Sequence, residues 1–306
     1  MPGPEPAVLH DRLLRWYAAH RRDLPWRAPD RSPWGVLVSE VMLQQTPVAR
    51  VEPVWRRWMQ LWPTASALAQ AAPGEAVREW GRLGYPRRAL RLHAAATAIH
   101  DEHDGQVPVD EVMLRTLPGV GDYTAAAVTA FAFGRRATVV DTNVRRVHAR
   151  AVSGIALPSP ALTRAELDLA GRLLPADDAE AATWSVAVME LGALVCTARA
   201  PRCADCPVAD LCAWRRAGLP AYDGPVRRGQ AWAGTDRQCR GTLLQVLRDA
   251  DAPVHGARLR ASWPLDPAAP DQEAAHLQRD RCLDALVAEG LVEPLPEDLF
   301  RLPGTG

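Results

Sequence analysis

Lysine is missing from this chain of 306 residues, so all 36 cationic positions are Arg. No side-chain amine is therefore available as a nucleophile or Schiff-base former, and the N-terminal amine is left as the one group of that kind. The arginines are balanced by 36 acids, for a formal net charge of zero. That balance argues against a protein that coats nucleic acid through a general basic excess, while leaving room for local phosphate-binding patches. Long apolar runs are lacking too. The most apolar internal stretch, 124–134, is too short to cross a bilayer, and residues 1–20 carry no cationic run followed by an apolar block. Neither a membrane span nor a secretion signal is expected, and the protein reads as soluble and intracellular. Alternating strand patterns are almost absent, as are internal repeats and low-complexity tracts beyond a general richness in Ala.

What is present is helical. Apolar residues recur at helical spacing in nearly every segment, as in Val54, Trp55, Trp58, Leu61 and Trp62, and again in Val186, Val188, Met189, Leu191 and Leu194. Pro and Gly punctuate the spaces between, for example Pro73-Gly74 and Pro118-Gly119. This predicts an all-α body reaching about Ala217, built of helices joined by short turns. With 48% hydrophobic residues the chain can bury one or two substantial cores. The 11 Trp residues are expected mainly in those cores, with Trp26 the exception. From Gly218 to Gly234 the composition shifts to Gly, Pro, Tyr and Arg, as in a linker. Beyond it, helices over 240–249 and 279–289 followed by a small β-ribbon over 290–301 suggest a winged-helix-like module, with a helical cap as the alternative.

Four of the six cysteines crowd into Cys196-x6-Cys203-x2-Cys206-x5-Cys212, which reads as metal ligation before disulfides in a chain without a secretion signal. Cys ligands alone satisfy either a four-iron four-sulfur cluster or a tetrahedral zinc. The spacing leaves both open, although gaps of six and five are less like paired zinc knuckles. Arg199, Arg202, Arg215 and Arg216 lie in or just beyond this loop and could face a phosphate backbone. Cys239 and Cys282 read as buried structural thiols.

Three further segments carry candidate chemistry. Leu117-Pro-Gly-Val-Gly121 lies between two helical stretches; its glycines allow close approach of backbone N–H groups, and the helix that follows favours an anion such as phosphate at its start. That is a helix-hairpin-helix reading, with an ordinary turn as the alternative. Asp141, after the apolar pair Val139-Val140, reads first as an N-cap, a role compatible with a carboxylate facing a cleft. Glu40, flanked by Val and Met in Ser39-Glu-Val-Met-Leu-Gln-Gln-Thr46, is either a desolvated functional acid or the polar face of an amphipathic helix.

Taken in order, Leu24-Pro-Trp-Arg27, Ser39–Thr46, Gly84-Tyr85, Leu117–Gly121, Val140-Asp-Thr-Asn-Val144 and the four-cysteine loop resemble the MutY-type adenine DNA glycosylases of the endonuclease III, or helix-hairpin-helix, superfamily. The resemblance covers residues 8–222. It implies a two-domain helix-hairpin-helix glycosylase fold: an iron-sulfur cluster domain from residues 1–28 and 135–217, and a six-helix domain from 29–134 containing the hairpin. The active site would lie in the cleft between them. A linker over 218–234 and a C-terminal module over 235–306, not clearly MutT-like, would follow. The cofactor implied is one 4Fe-4S cluster on Cys196, Cys203, Cys206 and Cys212. The partner implied is double-stranded DNA with adenine opposite 8-oxoguanine or guanine, bound by a monomer that is cytoplasmic and nucleoid-associated.

Hydrolysing an N-glycosidic bond requires protonation of the leaving base and stabilisation of an oxocarbenium-like sugar, the demand that gives O-glycosidases two carboxylates. By the resemblance, Glu40 protonates adenine N7, Asp141 stays ionised and stabilises or traps the sugar cation, and Tyr123 and Asn143 support the pair. Leu24, Trp26, Arg27 and Glu190 line the pocket for an adenine flipped out of the stack. Gln45 and Tyr85 wedge into the duplex, and Gly119, Val120 and Gly121 hold phosphate. The closest rival is a backbone-cleaving sibling of the endonuclease III kind, acting on damaged or mismatched pyrimidines; its lysine chemistry is excluded here, and Tyr123 stands at that hairpin position. A DNA-binding iron-sulfur regulator would not need paired acids, and a ferredoxin-like carrier would leave the helical body without a use. The chain departs from the family pattern at Pro86, where a second aromatic is usual, and at Thr142, where Gly is more common. The region after Gly234 is also short for a MutT-like domain that helps read 8-oxoguanine.

Overall fold

The computed structural model describes residues 5–224, 232–263 and 272–305. Its helices run in chain order as α1 (Pro6–His20), α2 (Pro33–Leu43), α3 (Val48–Leu61), α4 (Ala65–Ala69), α5 (Pro73–Trp80), α6 (Arg87–Glu102), α7 (Glu111–Thr116), α8 (Asp122–Phe133), α9 (Thr142–His148), α10 (Arg164–Leu173), α11 (Asp178–Leu194), α12 (Ala213–Arg216), α13 (Asp236–Arg248), α14 (Gly256–Ala261) and α15 (Gln272–Ala288). Among the described residues, strands occur only after residue 253, so the body is all-α as its periodicity predicts. Part of the expected linker, 225–231, lies outside the described residues. The chain divides into two compact units, residues 1–40, 108–116 and 120–226 in the first and 41–107, 117–119 and 227–306 in the second.

The first unit is built on α11, which is apolar around most of its circumference and is correspondingly buried on several faces: Ala181, Trp184, Ala187, Val188 and Leu191 all lie in its core. α1 contributes Leu9, Leu13 and Tyr17, spaced four apart so that they form one stripe, and α9 adds Val144 and Val147. Each such side chain removed from water contributes roughly 1.5–3 kcal/mol before the entropy of ordering is subtracted. Local signals set the helix starts. Asp177 caps α11 by accepting from the Glu180 N–H at 2.9 Å, and Thr163 with Glu166 forms a reciprocal capping box at α10. α9 and α11 approach closely because residue 192 is glycine: a Cβ there would lie 2.6 Å from the Asn143 Cβ and 3.0 Å from its backbone. α9 continues into a single π-helical turn, Ala149–Ser153.

The second unit packs α4 and α5 against α6 around a cluster of indoles. Trp58 and Trp80 are fully buried, and Trp58 meets Trp62 and Trp80 edge-on at centroid distances of 4.9 and 5.6 Å. Its C-terminal part follows the order α13, β1 (Val254–His255), α14, α15, β2 (Glu293–Leu295), β3 (Leu299–Arg301), with an antiparallel sheet ordered β1-β3-β2. Of these elements α14 and β1 were not foreseen, because six and two residues carry too little periodicity to read. Cys239 and Cys282 are buried between α13 and α15 as expected. This part is fastened to α5 by main-chain acceptors: Gly74 N–H donates to the Pro303 carbonyl at 2.7 Å, the Arg78 guanidinium donates to the Ala250 and Arg248 carbonyls, and Arg248 Nε donates to the Val77 carbonyl at 3.0 Å.

Two glycine-to-alanine changes separate close packing from backbone entropy. Gly192→Ala is expected to destabilise by about 1–3 kcal/mol through overpacking against Asn143. Gly241→Ala, within α13 where nothing lies within 4 Å of the added methyl, should be neutral or stabilise by about 0.5–1 kcal/mol. Chemical denaturation of both variants would show the opposite signs.

Candidate active site

Glu40 sits in the last third of an apolar helix, α2, with Val38 and Val41 buried beside it, and is itself only 6% exposed. Burial disfavours its charged form and raises its pKa to about 7, against the lowering effects of a hydrogen bond from Tyr123 and the charge of Arg27; the neighbouring charge of Asp141 adds a further small rise. The Tyr123 hydroxyl donates to Glu40 Oε2 at 2.9 Å. Burial first, and then the charges of Glu40 and Asp141, push Tyr123 well above the ordinary tyrosine range, so that it remains a neutral donor.

Asp141 is both cap and candidate acid. Its Oδ1 accepts from the N–H groups of Asn143 and Val144 at 2.9 and 2.7 Å, which caps α9, and its Oδ2 accepts from the Asn143 side-chain amide at 2.7 Å. Burial raises its pKa, while these three N–H donors and the charge of Arg146 oppose the rise. Asn143 is oriented from the other side, its Oδ1 accepting from Arg146 at 2.7 Å. Arg146 also donates to the Gly192 carbonyl at 2.7 Å and, through Nε, to the Cys196 carbonyl at 2.6 Å. A continuous chain of hydrogen bonds thus runs from a cysteine of the four-thiol loop to the Asp141 carboxylate.

Glu190, expected in a base pocket, is fully buried and engaged by two arginines. Arg22 forms a bidentate pair with it at 2.9 and 2.7 Å and adds its backbone N–H at 3.0 Å, and Arg27 donates at 3.0 Å. Burial alone would raise its pKa, but these donors and charges hold it down at about 2. Arg22 was missed in the sequence, where nothing in Arg21-Arg22-Asp23 separates it from a solvated charge run. The pairing leaves Arg27 Nη1 buried without a hydrogen-bond partner among the described residues. Leu24 and Trp26, on either side of Pro25, are each 5% exposed, so Trp26 is as buried as the core indoles.

The hairpin forms as predicted, α7 and α8 flanking a turn in which Gly119 adopts φ +79° and Gly121 caps α8. A Cβ on Gly119 would lie 2.8 Å from the Arg91 Cβ, so both the backbone conformation and the space select glycine. Val120 is buried. Gln45 and Tyr85 lie in the second unit, at exposed turns with φ of +55° and +48°. Left-handed backbone at non-glycine residues costs about 1–3 kcal/mol each and persists only where the surroundings enforce it.

The cysteine loop follows α11. Burial, and after it the charges of Cys196, Cys212 and Cys203, push the Cys206 thiol up to about 11, so the other three sulfurs lie within electrostatic reach of Cys206. Among the described residues no three metal-binding side chains converge on a single ion. The donor set is all thiol and fits an iron-sulfur cluster, whose bridging sulfides and several irons span more space than one zinc. Arg150, in the π-helical turn, ties the loop down by donating to Cys196 Sγ at 3.4 Å and to the Thr197 and Ala198 carbonyls at 2.7 and 3.1 Å, and its guanidinium lies over the Trp214 ring at 4.7 Å.

Comparisons with known proteins agree with this geometry. Residues 38–171 match the family model of the HhH-GPD superfamily base excision DNA repair proteins, and residues 196–212 match that of the iron-sulfur binding domain of endonuclease III. The cofactor is accordingly one iron-sulfur cluster in the loop over residues 196–212, where Cys196, Cys203, Cys206 and Cys212 would hold it. Among solved structures, a thermostable thymine-DNA glycosylase aligns with a TM-score of 0.61 and 28% identity over 69% of this chain and 97% of that one. A non-covalent endonuclease III-DNA complex aligns at 0.59 and 25% over 70% and 96%. Sequence relatives are nearer. The adenine DNA glycosylase of Homo sapiens is 43% identical over 69% of this chain and 40% of its own length. That of Mycobacterium tuberculosis is 54% identical over 99% of this chain and 98% of its own. Since the adenine DNA glycosylase of Mycolicibacterium smegmatis is 56% identical over 96% of both chains, this protein belongs to the adenine DNA glycosylase family.

Proposed function

We propose that the protein is a monofunctional adenine DNA glycosylase that hydrolyses the N-glycosidic bond of adenine opposite 8-oxoguanine or guanine. The observation that carries this reading is a pair of unlike acids: buried Glu40, its pKa raised to about 7, and half-buried Asp141, which accepts three N–H hydrogen bonds. Burial raises both carboxyl groups, but the donors that oppose the rise are concentrated on Asp141, and this inequality assigns Glu40 as the acid and Asp141 as the anion. Glu40 is the general acid toward adenine N7. Because the Tyr123 hydroxyl donates to Oε2, the proton of Glu40 resides on Oε1, and the same bond stabilises the carboxylate that forms as the proton leaves. Asp141, with its partners all donors, stays ionised and stabilises the positive charge developing on the sugar before water adds.

Adenine selection is supported by the names of the relatives and by the surroundings of Glu40. Leu24 and Trp26 supply apolar surface, and Arg27, held by Glu190, keeps one terminal nitrogen as an unpaired donor for an acceptor on a flipped purine. Gln45 and Tyr85 enter the duplex, and the hairpin from Gly119 to Gly121 holds a phosphate. The bound cluster supplies covalent ties within its loop, and excision of a base moves no electrons. By function, residues 1–28 with 135–217 are assigned to the cluster domain, 29–134, which holds the seven helices α2–α8, to the hairpin domain and 235–306 to the C-terminal module; the compact units divide the chain at other positions.

The test uses duplexes with adenine opposite 8-oxoguanine, adenine opposite guanine, or thymine glycol opposite adenine. Cleavage of the adenine strand that appears only after hot alkali is the expected result, and the ratio of the first two substrates reports the preference for 8-oxoguanine. Strand cutting confined to thymine glycol, or cutting without alkali, would place the protein with the lyase siblings. Glu40→Gln should lower single-turnover excision by at least about 10²-fold and leave duplex affinity close to that of the parent.

A further inference from the structure

Gln45 and Tyr85 are far apart in sequence, yet one side chain serves both of their turns. Arg88, on the first turn of α6, is 7% exposed. Its Nη1 faces the carbonyls of Val41, Met42 and Gln44 at 2.9, 3.2 and 2.6 Å, which are the acceptors left open where α2 ends. Its Nη2 donates to Thr46 Oγ1 and to the Gly84 carbonyl, each at 3.1 Å. The guanidinium carbon lies 5.3 Å from the ring centroids of both Trp80 and Tyr85. The acceptors on both sides of Gln45, the carbonyl before Tyr85 and the Tyr85 ring itself are thus gathered on one planar cation.

The cross-links are reinforced from both sides. Trp80 Nε1 donates to the same Gly84 carbonyl at 2.9 Å, and Thr46 Oγ1 lies 3.3 Å from the Leu83 carbonyl. Without an enforcing partner, the left-handed conformations at Gln45 and Tyr85 would relax, each swinging its side chain by a different amount. A lysine could not replace this arrangement, because an ammonium lacks the planar fork that spans several acceptors and stacks on rings at once.

We infer that Arg88 is a positioning residue that locks the Gln45 and Tyr85 turns into one rigid wedge, so that both side chains enter the duplex together when the target adenine is extruded. This rests on the reading of Gln45 and Tyr85 as the residues that enter DNA. Arg88 touches neither the base nor the reacting bond and acts only through these two.

The experiment is a mutational cycle read by base extrusion as well as by excision. Wild type, Arg88→Lys, the double variant Gln45→Ala/Tyr85→Ala and the triple combination are saturated with a duplex carrying 2-aminopurine beside adenine opposite 8-oxoguanine. Fluorescence reports unstacking, single-turnover quench reports excision, and melting temperature with iron-sulfur absorbance confirms the fold. Arg88→Lys should lose most of the fluorescence rise and about 10- to 100-fold of the excision rate, with no further loss when combined with the double variant. Full fluorescence in Arg88→Lys, or an additive loss in the triple variant, would overturn the proposal while leaving the wedge intact. If the double variant itself extrudes adenine normally, the reading of Gln45 and Tyr85 fails and Arg88 loses this role with it. Should Arg88→Lys not fold, Thr46→Val, which removes one acceptor of the guanidinium at nearly constant volume, is expected to give the same pattern at smaller amplitude, and an unchanged fluorescence rise there would overturn the proposal.

Discussion

Desolvation penalises the charged form of a carboxyl group, and the surroundings of Glu40 and Asp141 in the first unit answer that penalty unequally. One solution would be a cation for each. The structure instead distributes its donors unequally. Asp141 receives three N–H groups from the start of α9, whereas Glu40 receives one neutral hydroxyl. Arg27, whose charge reaches Glu40, is drawn toward Glu190, a third acid, fully buried and ionised because Arg22 and Arg27 both face it. Glu190 thereby keeps a guanidinium near Glu40 without letting it form a direct ion pair there, which would hold Glu40 permanently ionised.

Arginine is the working cation throughout, and the absence of lysine makes its geometry the means of joining segments. Arg146 links the Cys196 carbonyl, Gly192 on α11 and Asn143 on α9, and so connects the cluster loop to the group that orients Asp141. Arg150 draws the loop after Cys196 toward the π-helical turn. Arg145 closes the capping segment of α10 through Glu166 and the Ser159 and Ala161 carbonyls. Each planar fork fixes several main-chain acceptors at once, which a single ammonium could not do in the same geometry. The loop that follows α11 is thereby tied by hydrogen bonds, through Arg146 and Asn143, to the carboxylate of Asp141.

Much of this was legible in the sequence, for identifiable reasons. The helices followed from apolar spacing, and the cysteine loop from ligand chemistry. Asp141 was read both as an N-cap and as a functional acid, and the structure shows the cap bonds themselves, so the two readings were never in competition. Glu40 was not distinguishable by pattern from the polar face of an amphipathic helix; what separates them is burial by neighbours from other parts of the chain, which no local window contains. Arg22, Arg88 and Arg146 were illegible for the same reason, since each looks like a solvated charge until its distant carbonyl or carboxylate partners are brought to it. The strand Val254–His255 was too short to leave a period.

The central claim is that burial keeps Glu40 protonated near neutrality and that the Tyr123 hydrogen bond limits how far its pKa rises. The most direct test is the pH dependence of single-turnover adenine excision in the wild type and in Tyr123→Phe. A raised pKa means the acid is in its active, protonated form below that value and loses its proton above it, so wild-type excision should fall as pH rises through about 7. Removing the hydroxyl removes a bond that favours the carboxylate, and the falling limb should move to higher pH. A wild-type rate that stays level well above pH 7, or a limb that moves to lower pH in Tyr123→Phe, would contradict the account.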